Sequence, residues 1–124
     1  MNPAKQLKIL LVDDDKDMCD SLSDVITLDS EYSVSSTINP VEAVEIVKNE
    51  DFDLIIVDYK MPEMNGIDLI KHIKELRPDQ KIFILTAFIS SELITQAKDE
   101  GAAKVLSKFI WPDEILKHIK ETIG

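Results

Sequence analysis

Three runs of four consecutive apolar residues, Ile9–Val12, Leu54–Val57 and Ile82–Leu85, constrain the fold of this 124-residue chain more than any other feature. A strand with one face in water alternates apolar and polar residues, so a strand apolar throughout must be covered on both sides. Four residues are also far too few to cross a bilayer, which takes about 20. Between and beyond the runs the periodicity changes to that of helices. Met18, Leu22, Val25 and Ile26 fall on one helical face, as do Val41, Val44 and Val47, then Ile67, Ile70 and Ile73. Leu93, Ile94 and Ala97 mark a fourth helix, and Ile115, Leu116, Ile119 and Ile123 a fifth. Tyr32–Thr37 and Lys104–Ser107 read as two weaker strands. Strands starting near residues 7, 32, 53, 81 and 104 therefore alternate with helices, which predicts a doubly wound α/β domain with a parallel sheet.

The punctuation agrees with this division. Asn39-Pro40 is a helix start, with Asn as N-cap and Pro in the first turn. Pro78 stops the third helix, Gly101 takes the position just past the fourth, and Pro112 opens the last. No linker or low-complexity stretch interrupts the chain, so residues 1–124 read as one domain.

Composition narrows the class of function. With 14 Lys+Arg against 24 Asp+Glu the formal net charge is −10, which opposes binding to nucleic-acid phosphates or an anionic membrane. Met1–Gln6 carries no apolar signal stretch, and the expected location is cytoplasmic. Cys19, the single cysteine, can form neither an internal disulfide nor a zinc site alone.

In open α/β sheets, ligands bind beyond the carboxyl ends of the strands. The residues at those ends are Asp13, Asp14 and Asp15 after the first strand and Asp58 after the third, with Thr86 and Lys108 after the fourth and fifth. Each has an ordinary explanation: the aspartates cap the first helix, Asp58 ends a strand in solvent, Thr86 closes its strand, and Lys108 lies on the surface. His72 and His118 read as solvated positions on amphipathic helices, and Cys19 as a small packing residue. Together the strand-end residues say more. Carboxylates crowded together raise one another's pKa, and a divalent cation relieves that penalty. Hard oxygen ligands suit Mg²⁺, and a metal beside an aspartate, a lysine and a threonine suits phosphoryl transfer to the carboxylate. Neither G-x-x-x-x-G-K-[ST] nor G-x-G-x-x-G is present, which argues against a nucleotide cradle.

Leu10-Leu11-Val12-Asp13-Asp14-Asp15, Asp58-Tyr59-Lys60-Met61-Pro62-Glu63-Met64-Asn65-Gly66, Leu85-Thr86-Ala87 and Lys108 together resemble the response-regulator receiver domain of two-component signalling. The resemblance runs the length of the chain, and its D-x-x-M-P-x-x-x-G segment is highly specific. It implies a flavodoxin-like (βα)5 fold with a five-stranded parallel sheet in the order 2-1-3-4-5. It implies that Asp58 accepts a phosphoryl group from a histidine kinase or histidine phosphotransfer protein. Mg²⁺ (or Mn²⁺) would be held by Asp14, Asp58 and the Lys60 carbonyl, with Asp13 acting through water. Lys108 would pair with a phosphoryl oxygen, Ala87 would join Lys60 as a cofactor-binding residue, and Thr86 would turn its hydroxyl inward. That turn would switch the surface of helix 4, strand 5 and helix 5, where a second copy or a downstream effector would bind. Such a protein catalyses only its own phosphorylation and dephosphorylation and is not otherwise an enzyme.

Two positions depart from the family pattern. The family places Pro, in a cis peptide, directly after the lysine; Phe109 stands there, and a trans bond is expected because cis costs a non-proline residue about 3 kcal/mol. Val105 replaces the aromatic that usually partners the threonine. Phe109 and Trp111 either pack the last helix or supply a displaced aromatic readout. Phe88, two residues past Thr86, is expected to hinder water from reaching an aspartyl phosphate. Two alternatives differ in class. A haloacid-dehalogenase-like phosphatase would need Thr or Val where Asp17 stands, and a phosphate-independent interaction module would account for the two departures.

Overall fold

The computed structural model describes residues 6–124; residues 1–5, and with them most of the Met1–Gln6 lead-in, lie outside the described part. Strands β1 (Leu7–Val12), β2 (Tyr32–Thr37), β3 (Leu54–Asp58), β4 (Ile82–Thr86) and β5 (Lys104–Ser107) alternate with five helices. These are α1 (Lys16–Ile26), α2 (Pro40–Asn49), α3 (Gly66–Leu76), α4 (Ser91–Asp99) and α5 (Pro112–Ile123). All strand pairs are parallel and the order is β2-β1-β3-β4-β5, the flavodoxin-like order expected. The three apolar runs thus form the three central strands, and the two weaker segments form the edges.

Alternation along each strand divides the core in two. Leu10, Val12, Ile55, Val57 and Ile84 face α2, α3 and α4, meeting Ala43, Val47, Ile70, Ile73 and Leu93. Ile9, Leu11, Ile56, Phe83 and Leu85 face the other way, onto Ile26 of α1 and Ile115 and Ile119 of α5. Among the described residues no helix is long and apolar enough to cross a membrane.

The helix boundaries follow their capping residues. Asn39 Oδ1 accepts the Val41 N–H at 2.8 Å, Asn65 Oδ1 accepts that of Asp68 at 2.9 Å, and Ser90 Oγ that of Leu93 at 3.1 Å. Gly101 at φ +96° ends α4, letting the Gly101 N–H reach Lys98 O and the Ala102 N–H reach Ala97 O.

Three expectations about burial are corrected. Val41 is 51% exposed, because with Pro40 buried in the first turn the inward stripe of α2 runs through Ala43 and Val47. His118 is not a solvated position: it is half-buried, with Nδ1 2.7 Å from Lys104 Nζ, and that lysine also meets Glu121 at 3.2 Å. Phe109 and Trp111 do not pack the last helix; they are 79% and 72% exposed. Ile110 turns inward instead, half-buried, and with the exposed Pro112 it lines a groove against Met18 and Leu22 of α1. Cys19 is a buried packing residue, its thiol donating to Asp13 O and pushed up to about 11 by burial and then by the Asp13 charge.

Candidate functional site

Parallel strands bring all their carboxyl ends to one edge, and register decides who meets there. Val12 pairs with Val57, so the next residues, Asp13 and Asp58, lie side by side. Asp58 pairs with Leu85 and Thr86 with Ser107, placing the ends of β4 and β5 beside them. Lys108 continues the ladder one residue past β5, its N–H donating to Thr86 O at 2.9 Å.

The three consecutive aspartates divide their work. Asp15 is the N-cap of α1, accepting the Met18 N–H at 3.3 Å. Asp13 is buried, and its Oδ1 accepts the Asp15 N–H at 3.0 Å. Asp14 is exposed, yet carboxylate oxygens of Asp13, Asp14 and Asp58 all lie within 4.8 Å of one another. Such a set of hard oxygen donors, partly buried and mutually repulsive, fits a small divalent cation. Lys60, exposed, follows Asp58 by two residues and leads into the buried Met61.

Lys108 reaches this cluster without the proline that follows the lysine in the family. Its Nζ stands 3.2 Å from Asp58 Oδ1 and 3.4 Å from Asp13 Oδ2, and no peptide bond among the described residues is cis. Asp58 is only 4% exposed; burial, then the neighbouring Asp13 charge, push its pKa up to about 6 against the pull of Lys108. Burial also raises Asp13, partly offset by the Asp15 amide and Lys108. Burial disfavours the Lys108 ammonium, but the two carboxylates together outweigh it and hold its pKa above the usual value.

Thr86 is buried at the end of β4, and its hydroxyl is engaged with the chain ahead. Oγ1 accepts the Phe88 N–H and donates to Phe88 O, both at 3.2 Å. Ala87 is exposed between them, and the Phe88 ring is 86% exposed. Val105 packs against the α2–α4 side of the core. Gly66 opens α3 where a side chain would not fit: a Cβ there would come 2.8 Å from Asp58 O. Ser107, whose hydroxyl takes the Phe109 N–H at 3.0 Å, did not stand out in the sequence, since a serine before a lysine carries no motif of its own.

A doubly wound parallel sheet with a buried aspartate, two further carboxylates and a lysine at its carboxyl edge defines the receiver class of signalling domain. The chain belongs to the response regulator receiver domain family, whose model matches residues 9–120. It is 32% identical over 114 residues to the chemotaxis protein CheY of Thermotoga maritima, covering 92% of this chain and 95% of that protein. Its fold matches that of a CheY-like receiver domain protein from Methanospirillum hungatei with a TM-score of 0.90, at 30% identity and covering 96% and 94% of the two chains. A response regulator from Burkholderia pseudomallei, solved with a phosphorylated aspartic acid, a calcium ion and citrate, matches with a TM-score of 0.82 at 26% identity over 96% of this chain and 67% of that one. Two longer relatives are transcriptional regulatory proteins, of which the chain spans 27% and 52%.

Proposed function

We propose that this chain is a phospho-accepting receiver of a two-component phosphorelay, with Asp58 as the acceptor. The observation that carries this reading is the Asp58 carboxylate, buried at the end of a central strand and contacted by Lys108 at 3.2 Å. An Asp58 oxygen attacks the phosphorus of a phosphohistidine on a histidine kinase or histidine phosphotransfer protein. The O–P bond forms as the P–N bond breaks, and the imidazole leaves with its electron pair and takes up a proton. Lys108 holds a phosphoryl oxygen, so negative charge moves toward a fixed ammonium as the bond forms. Asp13, Asp14, Asp58 and the Lys60 carbonyl would hold Mg²⁺ (or Mn²⁺), which when bound neutralises charge on the phosphoryl oxygens. The Burkholderia relative, with its phosphorylated aspartic acid, supports the same acceptor chemistry here.

The added phosphoryl group brings roughly two negative charges and three acceptor oxygens. Thr86 then exchanges its bonds to Phe88 for one to the phosphoryl group, with Ala87 beside it, and moves the helix 4–strand 5–helix 5 surface. A downstream effector or a second copy of the chain binds there, in the cytoplasm. The phosphatase alternative loses support because Asp15, the second aspartate of its motif, is occupied in capping α1. A phosphate-independent module leaves the Lys108–Asp58 contact unexplained.

The test is to incubate the protein with Mg²⁺ and a small acyl phosphate and weigh the intact chain beside Asp58→Asn. One phosphoryl group on the native chain alone supports the proposal. None on either chain, with no Mg²⁺ binding, would leave a docking module.

A further inference from the structure

We infer that Ser107 is a positioning residue for this chemistry: its hydroxyl holds the loop between β5 and α5 in the turn that carries the Lys108 ammonium to Asp58. The inference rests on the proposed phosphoryl transfer for its activity readout, and on the loop geometry for the rest.

The turn is made by one residue. Ser107, half-buried at the end of β5, accepts two successive amides: its Oγ takes the Phe109 N–H at 3.0 Å and its carbonyl takes the Ile110 N–H at 3.2 Å. The Lys108 N–H is already fixed to Thr86 O at 2.9 Å. Three consecutive amides are thereby tied down, and the chain reverses within them while Lys108 points back over the sheet edge to Asp13 and Asp58. Side-chain packing of Phe109 is not what holds this corner, because its ring is 79% exposed. Phe109 contributes its N–H, which a proline at the same position would lack. The family solves the placement of its lysine with a proline; here a trans peptide and a serine hydroxyl solve it.

The bland account is that the hydroxyl satisfies one exposed amide and nothing else follows from it. Ser107→Ala and Ser107→Thr, each also made with Phe109→Pro, separate the two. Losing one hydrogen bond is expected to speed exchange of the Phe109 amide about fivefold in Ser107→Ala, and Thr should restore it. The rate of phosphorylation by acetyl phosphate should fall by about the same factor in Ser107→Ala and recover in Ser107→Thr. Mg²⁺ affinity should not move, since none of the carboxylates is touched. In the Phe109→Pro background there is no amide to hold, so Ser107→Ala should cost nothing further. An equal cost in both backgrounds, or an Ala variant with unchanged phosphorylation, would overturn the inference. If the native chain takes no phosphoryl group, the proposed function fails while amide exchange still reads the loop; an unchanged Phe109 exchange rate in Ser107→Ala then overturns the inference by itself.

Discussion

Lys108 lies 3.2 Å from Asp58 although the residue that follows it is phenylalanine. The ammonium also reaches Asp13 at 3.4 Å, so it is the one cation in contact with both buried carboxylates among the described residues. A group placed to meet charge that develops during transfer is worth roughly a hundredfold or more in rate. Lys108→Ala should therefore lower the Mg²⁺-dependent rate of phosphorylation by acetyl phosphate about a hundredfold. An unchanged rate would reduce the lysine to a structural counter-ion.

The carboxylates themselves set the pH response of the metal-free protein. Asp58 has a folded-state pKa near 6 against an ordinary value of 3.8, with burial as the main cause. A raised pKa means the folded state binds the proton more tightly than the unfolded state. The stabilisation is complete below about pH 4 and is lost as pH rises through about 6. In EDTA, Asp58→Asn should be more stable than the native chain at pH 7.5 by about 1–3 kcal/mol, and the gap should close at pH 4. Urea unfolding at the two pH values measures it. A gap that does not change with pH would mean that Asp58 is ionised freely in the folded chain.

A cation that binds only the folded state stabilises it by mass action, about 2.7 kcal/mol at a hundred times Kd. Thermal unfolding with and without Mg²⁺ should show this gain at pH 7.5 and a smaller one at pH 5, where protons compete for Asp13 and Asp58. Asp14→Ala removes an exposed member of the oxygen cluster and should cut the gain without disturbing the apo fold. The same Mg²⁺ shift in native and Asp14→Ala chains would place the metal elsewhere.

How far the sequence reveals this site depends on the residue. The central strands were legible because β1, β3 and β4 are apolar on both faces, and their abrupt ends at Asp13, Asp58 and Thr86 mark the sheet edge. Residue type and position alone do not separate Asp15 from Asp13, which only the resemblance singled out; a cap and a site carboxylate look alike until the first helical N–H is placed on Asp15. Val41 misled because a helical stripe has a period but no absolute phase, and Pro40 in the first turn set that phase toward Ala43. Phe109 and Trp111 were ambiguous because aromatic content favours burial while the loop geometry turns Ile110 inward between them. The hold of Ser107 on Lys108 depends on backbone amides, which no residue pattern displays.

Gly66 shows how tightly the end of β3 is packed. Its N–H donates to Tyr59 O at 2.7 Å, and a Cβ would lie 2.8 Å from Asp58 O and 3.0 Å from Tyr59 Cα. Both obstacles are backbone, so they cannot swing aside as a flexible side chain would. Gly66→Ala should destabilise the fold by about 1–3 kcal/mol, the usual cost of overpacking. It should also slow phosphorylation at Asp58 by displacing that carbonyl. Equal urea midpoints would show that α3 shifts without strain.

Phe88 is where the proposed phosphoryl chemistry predicts an effect on the lifetime of the signal. In the unphosphorylated chain its ring is 86% exposed, and Thr86 holds its N–H and its carbonyl at 3.2 Å each. The ring therefore does not cover Asp58 in this conformation. If Thr86 turns to the phosphoryl group as proposed, both bonds are released and the ring can fold over the acyl phosphate and obstruct in-line water. Phe88→Ala should then lose its phosphoryl group about two to ten times faster than the native chain, a barrier change of about 0.4–1.4 kcal/mol. Decay of the phosphorylated protein followed by intact mass gives the comparison directly. Adding Phe88→Ala to a Thr86→Ala chain, whose loop is already released, should produce the same acceleration. If native and Phe88→Ala chains decay together, the ring stays in solvent after phosphorylation and Phe88 has no part in timing the signal.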